Sequence, residues 1–235
     1  MKDFSNRYIF TFAVVMVAIV AVILSLAATL LRPAQERNYE VEKKKSMLES
    51  IGLFAEREDV TTMYDKHIRE SFVVDLSGNI ITGVDAFDVD LGKELKKGEN
   101  DIRLPVFKAV TESDEDVIIV PVSGTGLWGP IWGYIALKSD MNTIFGVTYD
   151  HQGETPGLGA EINETFFESR FSGKKLFKGD TFVSISLVKT GADPSDQHAV
   201  DAISGGTITS RGLEAMLKDC LGFYEPFLKS NMERQ

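Results

Sequence analysis

Residues 8–31 read YIFTFAVVMVAIVAVILSLAATLL, a stretch of 24 residues with no charged side chain. At about 1.5 Å rise per residue it forms a helix roughly 36 Å long, enough to cross a hydrocarbon core of about 30 Å with some tilt. A cleaved signal peptide is the alternative, and Ser25-Leu26-Ala27 resembles a cleavage site. The apolar core of such a peptide, however, runs only about 7–15 residues. A retained anchor is therefore expected. Lys2 and Arg7 precede the stretch, while Arg32, Arg37 and Lys43-Lys44-Lys45 follow it, so the basic residues leave its orientation open.

The anchor changes how the rest of the chain reads. Over 235 residues the net charge is −10 and the mean hydropathy −0.04. Setting aside residues 1–31 removes Lys2, Arg7 and Asp3, leaving 23 basic residues against 34 acidic ones, a net −11. Such a surface is repelled by anionic headgroups and has no basic face for nucleic acid. With 43% hydrophobic residues the chain can bury a core, which excludes disorder. Cys220 is the only cysteine, which excludes an internal disulfide and cysteine-based metal centres.

The spacing of apolar residues predicts one mixed domain behind the anchor. Residues 34–56 are rich in helix formers and read as a stalk, followed by a short helix at 60–68. Strands are expected at 71–76, 80–84, 102–108, 117–122, 131–138, 143–150 and 182–188, with hairpins at Ser77-Gly78-Asn79 and at 139–142. Residues 85–103 read as a surface loop, 163–170 as a short helix and 209–220 as an amphipathic helix. There is no regular βαβ alternation, so the fold class is α+β. The expected division is an anchor at 1–33, a stalk at 34–60 and a domain at 61–235.

Three glycine-dense stretches could carry chemistry. Residues 123–133 (SGTGLWGPIWG) contain a formal G-x-G-x-x-G, but Pro130 and a strand follow where a dinucleotide site needs a helix. A tight strand connection with its two tryptophans in the core is the structural alternative there. Residues 151–161 (HQGETPGLGAE) form a turn after a strand, in which an apolar Leu158 and backbone amides could meet a flat ligand. His151, Glu154 and Glu161 match no common zinc spacing, so no metal is expected. Residues 201–210 (DAISGGTITS) place glycine amides and hydroxyls at a helix start, the layout of an anion site or of an elaborate helix cap with Thr209 or Ser210. There is no G-K-[ST] of a P-loop. Ser123 or Ser204 with His151 lacks the pattern of a hydrolase nucleophile, so no catalytic residue is expected.

Together the apolar span, LWGPIWGYIAL at 127–137, GETPGLGAEI at 153–162 and DAISGGT at 201–207 resemble the C subunit of the Na+-translocating NADH:quinone oxidoreductase (NQR), over essentially the whole chain. The last stretch resembles that family's flavinylation signature, D-x-x-[ST]-G-A-T, whose final Thr is esterified to the phosphate of FMN. Thr207 occupies that position. Asp201, Ser204 and Gly205 match, and Gly206 stands in place of the usual Ala. The resemblance implies covalent FMN as the cofactor, with Ser204, Gly205, Gly206, Thr155, Gly157 and Leu158 about it. It implies an FMN transferase that uses FAD as donor, and one-electron relay toward a neighbouring flavin-bearing membrane subunit. It also implies an inner-membrane location with a cytoplasmic N-terminus and the domain on the outer, periplasmic side. The G subunit of the homologous Rnf ferredoxin:NAD oxidoreductase shares these features, while the LWGPIWGYIAL stretch and the acidic domain favour the quinone reductase. A tethered scaffold without cofactor is the reading of a different class.

Overall fold

The computed structural model describes residues 5–98, 101–189 and 191–232. They fall into two compact units, residues 1–43 and 44–235. Helix α1 (Asn6–Ser50) provides the first unit and the opening residues of the second. Among the described residues it is the one helix long and apolar enough to cross a membrane. The helical pattern of the anchor and that of the stalk belong to this same helix, which includes Pro33 and stops at Ser50, short of the expected residue 56. The stop is a Schellman motif: Gly52, at φ +77°, donates to the Glu49 carbonyl and Leu53 to that of Leu48. Buried Leu48 and Leu53 supply the apolar contact that accompanies it.

The second unit is built on one antiparallel sheet. Its strands are β1 (Ile68–Val74), β2 (Ile80–Ile81), β3 (Leu104–Val110), β4 (Asp116–Thr125), β5 (Pro130–Lys138) and β6 (Ile144–His151), in the order β2-β1-β3-β4-β5-β6. Helix α2 (Val60–His67) leads directly into β1. Residues 85–103 do more than the expected loop: they include a helical turn, α3 (Leu91–Glu94), capped by the Asp90 carboxylate, and bury Ala86, Val89 and Leu91. The region expected as a helix at 163–170 is α4 (Thr165–Glu168) between two short 3-10 turns.

Then come the hairpin β7 (Phe177–Lys178) and β8 (Thr181–Phe182), the parallel pair β9 (Ser186–Val188) and β10 (Ala199–Asp201), and α5 (Thr207–Met232). The single strand expected at 182–188 is interrupted. Val183 and Ser184 both donate to the Leu176 carbonyl, and Ser184 takes φ +60°, which no strand accommodates.

Period-2 burial places a layer on each face of the sheet. Ile118, Val120 and Val122 of β4 join Leu213, Leu217, Leu221, Tyr224 and Leu228 of α5 in the main core, while the intervening Ile119 is buried outside that cluster. Each such leucine contributes about 1.5–3 kcal/mol by leaving water. On β6, Val147 and Tyr149 belong to the same core; the alternate Thr148 donates to the Ser46 carbonyl of α1 at 3.0 Å. Helix α5 approaches β4 closely because Gly124 has no side chain: a Cβ there would fall 2.6 Å from the Met216 Cβ. With Gly212 of α5 closely approached by the Thr125 carbonyl, this contact sets the first half of α5 beside the end of β4.

Candidate functional site

Three loops meet at that end of the sheet. Residues 126–129 connect β4 to β5, with the Gly126 N–H donating to the Gly129 carbonyl at 2.8 Å. Residues 152–158 follow β6, and Thr155-Pro156-Gly157-Leu158 forms a turn closed by Leu158 N–H to Thr155 carbonyl at 3.1 Å. Proline second and a glycine at φ +75° third are what a type II turn requires. Residues 202–206 lead from β10 into α5. Leu127, Glu154, Thr155, Leu158, Gly159 and Gly205 to Thr209 line a cleft of about 220 Å³ between them. Its edge is apolar: Leu127, Leu158 and Ile208 are exposed, and Trp128 beside it is 68% exposed.

Among the described residues, no side chain accepts from the first amides of α5. Gly206 precedes the first helical residue and cannot supply an acceptor, and the first intrahelical bond runs from Ser210 N–H to the Gly206 carbonyl at 2.8 Å. The amides of Thr207, Ile208 and Thr209 therefore have no acceptor within the helix. Neither hydroxyl expected as a cap serves as one. Ser210 Oγ accepts from Ile203 N–H at 3.1 Å, and Thr209 Oγ1 donates to the Glu154 carboxylate. Thr207, the first residue of α5, stays exposed on the cleft wall.

Glu154 is only 4% exposed, yet its charged end is fully used. One oxygen accepts from Trp128 N–H at 2.8 Å and the other from the Thr209 hydroxyl. Its own N–H donates to His151 Nδ1 at 3.2 Å, while Glu161 accepts from Gly157 N–H at 3.0 Å. Each of these three side chains accepts a backbone N–H, His151 from Glu154, Glu154 from Trp128 and Glu161 from Gly157. No cluster of three or more metal-ligating side chains occurs among the described residues.

The residues singled out by sequence separate into two groups. Thr207, Gly205, Gly206, Thr155 and Leu158 line one cleft, with Leu158 packed against Gly205, where a Cβ would fall 2.6 Å from its Cδ2. Gly157 and Ser204 are exposed nearby but outside the lining. Asp201 also lies outside it: its carboxylate accepts from Ala192 N–H at 2.8 Å and its carbonyl from Arg170 at 2.9 Å, fixing the entry to the loop. Of the two tryptophans, Trp128 stands out to solvent and Trp132 is half-buried, so neither is enclosed in the core. Sequence patterns leave Leu127, Ile208 and the role of Glu154 unassigned, and offer Thr209 only as a cap. Cys220 Sγ donates to the Ser123 carbonyl at 3.0 Å, and burial pushes its thiol up to about 11, so it is inert.

Residues 126–222, which hold all three loops, match the model of the FMN-binding domain. The chain is 33% identical over 227 residues to the C subunit of the Na(+)-translocating NADH-quinone reductase of Haemophilus ducreyi, covering 90% of this chain and 88% of that one. It belongs to the C-subunit family of the Na+-translocating NADH-quinone reductases. The C subunit of Vibrio anguillarum is 34% identical, with 92% of each chain covered. Among solved structures, the C subunit from Parabacteroides distasonis superposes with a TM-score of 0.77 at 41% identity, over 84% of this chain and 96% of that one. Shewanella oneidensis NqrC gives 0.72 at 26% identity, over 83% and 98%. The α+β domain is therefore the family's domain.

Proposed function

We propose that this chain is the subunit of a Na+-translocating NADH:quinone oxidoreductase that carries FMN joined to Thr207 by a phosphoester, and relays electrons one at a time. The observation that carries the reading is the Thr207 hydroxyl, exposed on the wall of an apolar-edged cleft at a helix start whose first three amides are uncapped. Those amides and the helix dipole favour a phosphate, and the apolar edge suits a flat ring. The bound flavin would supply the electron-carrying chemistry. Thr207 would hold the phosphate at Oγ1, next to Gly205 and Gly206, and Leu127, Thr155 and Leu158 would line the side of the ring.

Attachment is the work of a separate FMN transferase. The Thr207 Oγ1–P bond forms as the pyrophosphate P–O bond of FAD breaks; AMP leaves and the hydroxyl proton goes to solvent. Residues 1–33 act as a single-pass anchor in the inner membrane, with a cytoplasmic N-terminus, 34–60 as the stalk, and 61–235 as the domain on the outer side. The partners are the other subunits of the complex, above all its neighbouring flavin-bearing membrane subunit. The isolated chain is a carrier and not a catalyst.

The test is the mass of the purified chain after co-expression with an FMN transferase. One FMN phosphoester should appear as a discrete increment and as a flavin-fluorescent band on a denaturing gel, both absent in Thr207→Val. A wild-type chain without either refutes the covalent carrier and leaves the scaffold reading.

A further inference from the structure

Glu154 is organised far more elaborately than a loop carboxylate requires. Four other positions are shaped around it. Trp128 N–H and the Thr209 hydroxyl occupy its two oxygens. Glycine at 126 and at 159 makes the space: a Cβ at either would fall 2.5 Å from a carboxylate oxygen. Both oxygens act as acceptors, the pattern of the ionised group. Replacing a buried charge and its partners by apolar groups of like volume is often neutral or stabilising. Folding stability alone therefore does not account for this arrangement.

What the carboxylate does is visible in what it joins. It links the 126–129 loop, which carries Leu127 and Trp128, to the first turn of α5, which carries Thr207, while its own chain segment forms the cleft wall. Thr209 is 1% exposed and two residues beyond Thr207, so the tie fixes the turn that presents the Thr207 hydroxyl. It also holds negative charge against the cleft, on a residue only 4% exposed, where a charge is little screened.

We propose that Glu154 is the positioning residue of the cofactor cleft, locking the 126–129 loop to the start of α5 and lowering the reduction potential of the group held there. The second half of this rests on the flavin reading above. Adding an electron beside a fixed carboxylate is disfavoured, so the charge shifts the potential downward.

Two variants separate the roles. Glu154→Gln keeps the ties, since its Oε1 accepts from Trp128 N–H and its Nε2 donates to the Thr209 hydroxyl, but removes the charge. Glu154→Ala removes both. In the detergent-solubilised full chain without flavin, amide hydrogen exchange over residues 126–129 should quicken roughly tenfold or more in Glu154→Ala, the equivalent of one charge-assisted hydrogen bond. In Glu154→Gln it should stay near wild type. In the flavin-loaded chain, Glu154→Gln should raise the midpoint potential, with the Thr207 mass increment intact. Unchanged exchange in Glu154→Ala overturns the lock. An unchanged or lowered midpoint in Glu154→Gln overturns the tuning, and so does a folded Glu154→Gln chain that takes up no flavin. If wild type itself carries no flavin, the functional reading fails; the tuning half falls with it, and the exchange measurement still decides the lock.

Discussion

Gly206, the one departure from the flavinylation signature, makes a sharp test of how the cleft is packed. Gly206 is buried, and a Cβ built there would lie 3.0 Å from Ile203 Cγ2, 3.1 Å from Ile203 Cβ and 3.3 Å from the Leu158 carbonyl carbon. Ile203 is itself 7% exposed and can yield only by a few tenths of an ångström. Overpacking of this kind costs about 1–3 kcal/mol. Alanine is also a poorer helix cap than glycine, by about 1 kcal/mol, which roughly offsets the gain of about 0.4–1 kcal/mol from a stiffer unfolded chain. Gly206→Ala should therefore destabilise residues 34–235 by about 1–3 kcal/mol, lowering Tm by about 2–12 °C for a domain of this size. In an Ile203→Ala background the closest contact is gone, and the same substitution should cost about 1 kcal/mol less. Urea and thermal unfolding of the four proteins of this cycle measure both. A Gly206→Ala protein as stable as wild type, or an equal cost in both backgrounds, refutes the packing argument. Flavin attachment at Thr207 should persist in Gly206→Ala, because only a methyl is added.

Burial, with help from Glu49, Glu164 and Asp150, raises the Glu168 carboxyl to about 7, against an accepted bond from Tyr149 N–H. The folded state then holds a proton that the unfolded state has lost, so this group's contribution is fully present below the ordinary carboxylate pKa of 4.5 and fades as pH rises through 7. Glu168→Gln should flatten the fall in stability between pH 5 and pH 8 in urea titrations, and an unchanged slope would sink the assignment. Leu158→Lys, which puts a charge where an apolar side chain lies over Gly205, should shift the flavin absorption spectrum or midpoint potential while leaving the Thr207 mass increment; no change in either removes Leu158 from the cleft's contacts.

The sheet was legible because its strands are apolar runs or alternations punctuated by turn residues: β3 to β6 lie within three residues of expectation at each end. Elements governed by tertiary contact were not. β10 is three residues long and pairs in parallel with β9, which no local pattern announces. Helix α3 rests on Asp90 and on buried residues scattered through a charged stretch. Helix α5 runs twelve residues past the expected 220, and its Pro226 would have argued for an earlier stop. Within the cleft, glycine stretches marked the loops correctly, because close approach needs glycine wherever it occurs. The reason for the closeness at 126 and 159 was invisible, since it lies in a carboxylate 28 residues from the one and five from the other. Thr209 looked like a cap because sequence places it at a helix start; only the fold shows its hydroxyl turned to Glu154.

The magnitudes of this cleft also bear on why a covalent link would be needed. At about 220 Å³ it is smaller than the roughly 300–1,000 Å³ of pockets that enclose most of a small ligand. A helix N-terminus adds only about 0.3–1 kcal/mol for an anion at an exposed site, less than a tenfold gain in affinity. The chain beyond residue 31 carries a net −11, which disfavours a phosphate overall. That field is screened beyond about 8–10 Å, so the uncapped amides at Thr207 decide the local preference without giving tight retention. A shallow, apolar-edged cleft leaves a ring open to a redox partner, which suits electron transfer, and the same openness makes reversible binding weak. An ester at Thr207 would separate the two demands: the bond would supply retention, and the loops tied through Glu154 would need only to orient what it holds.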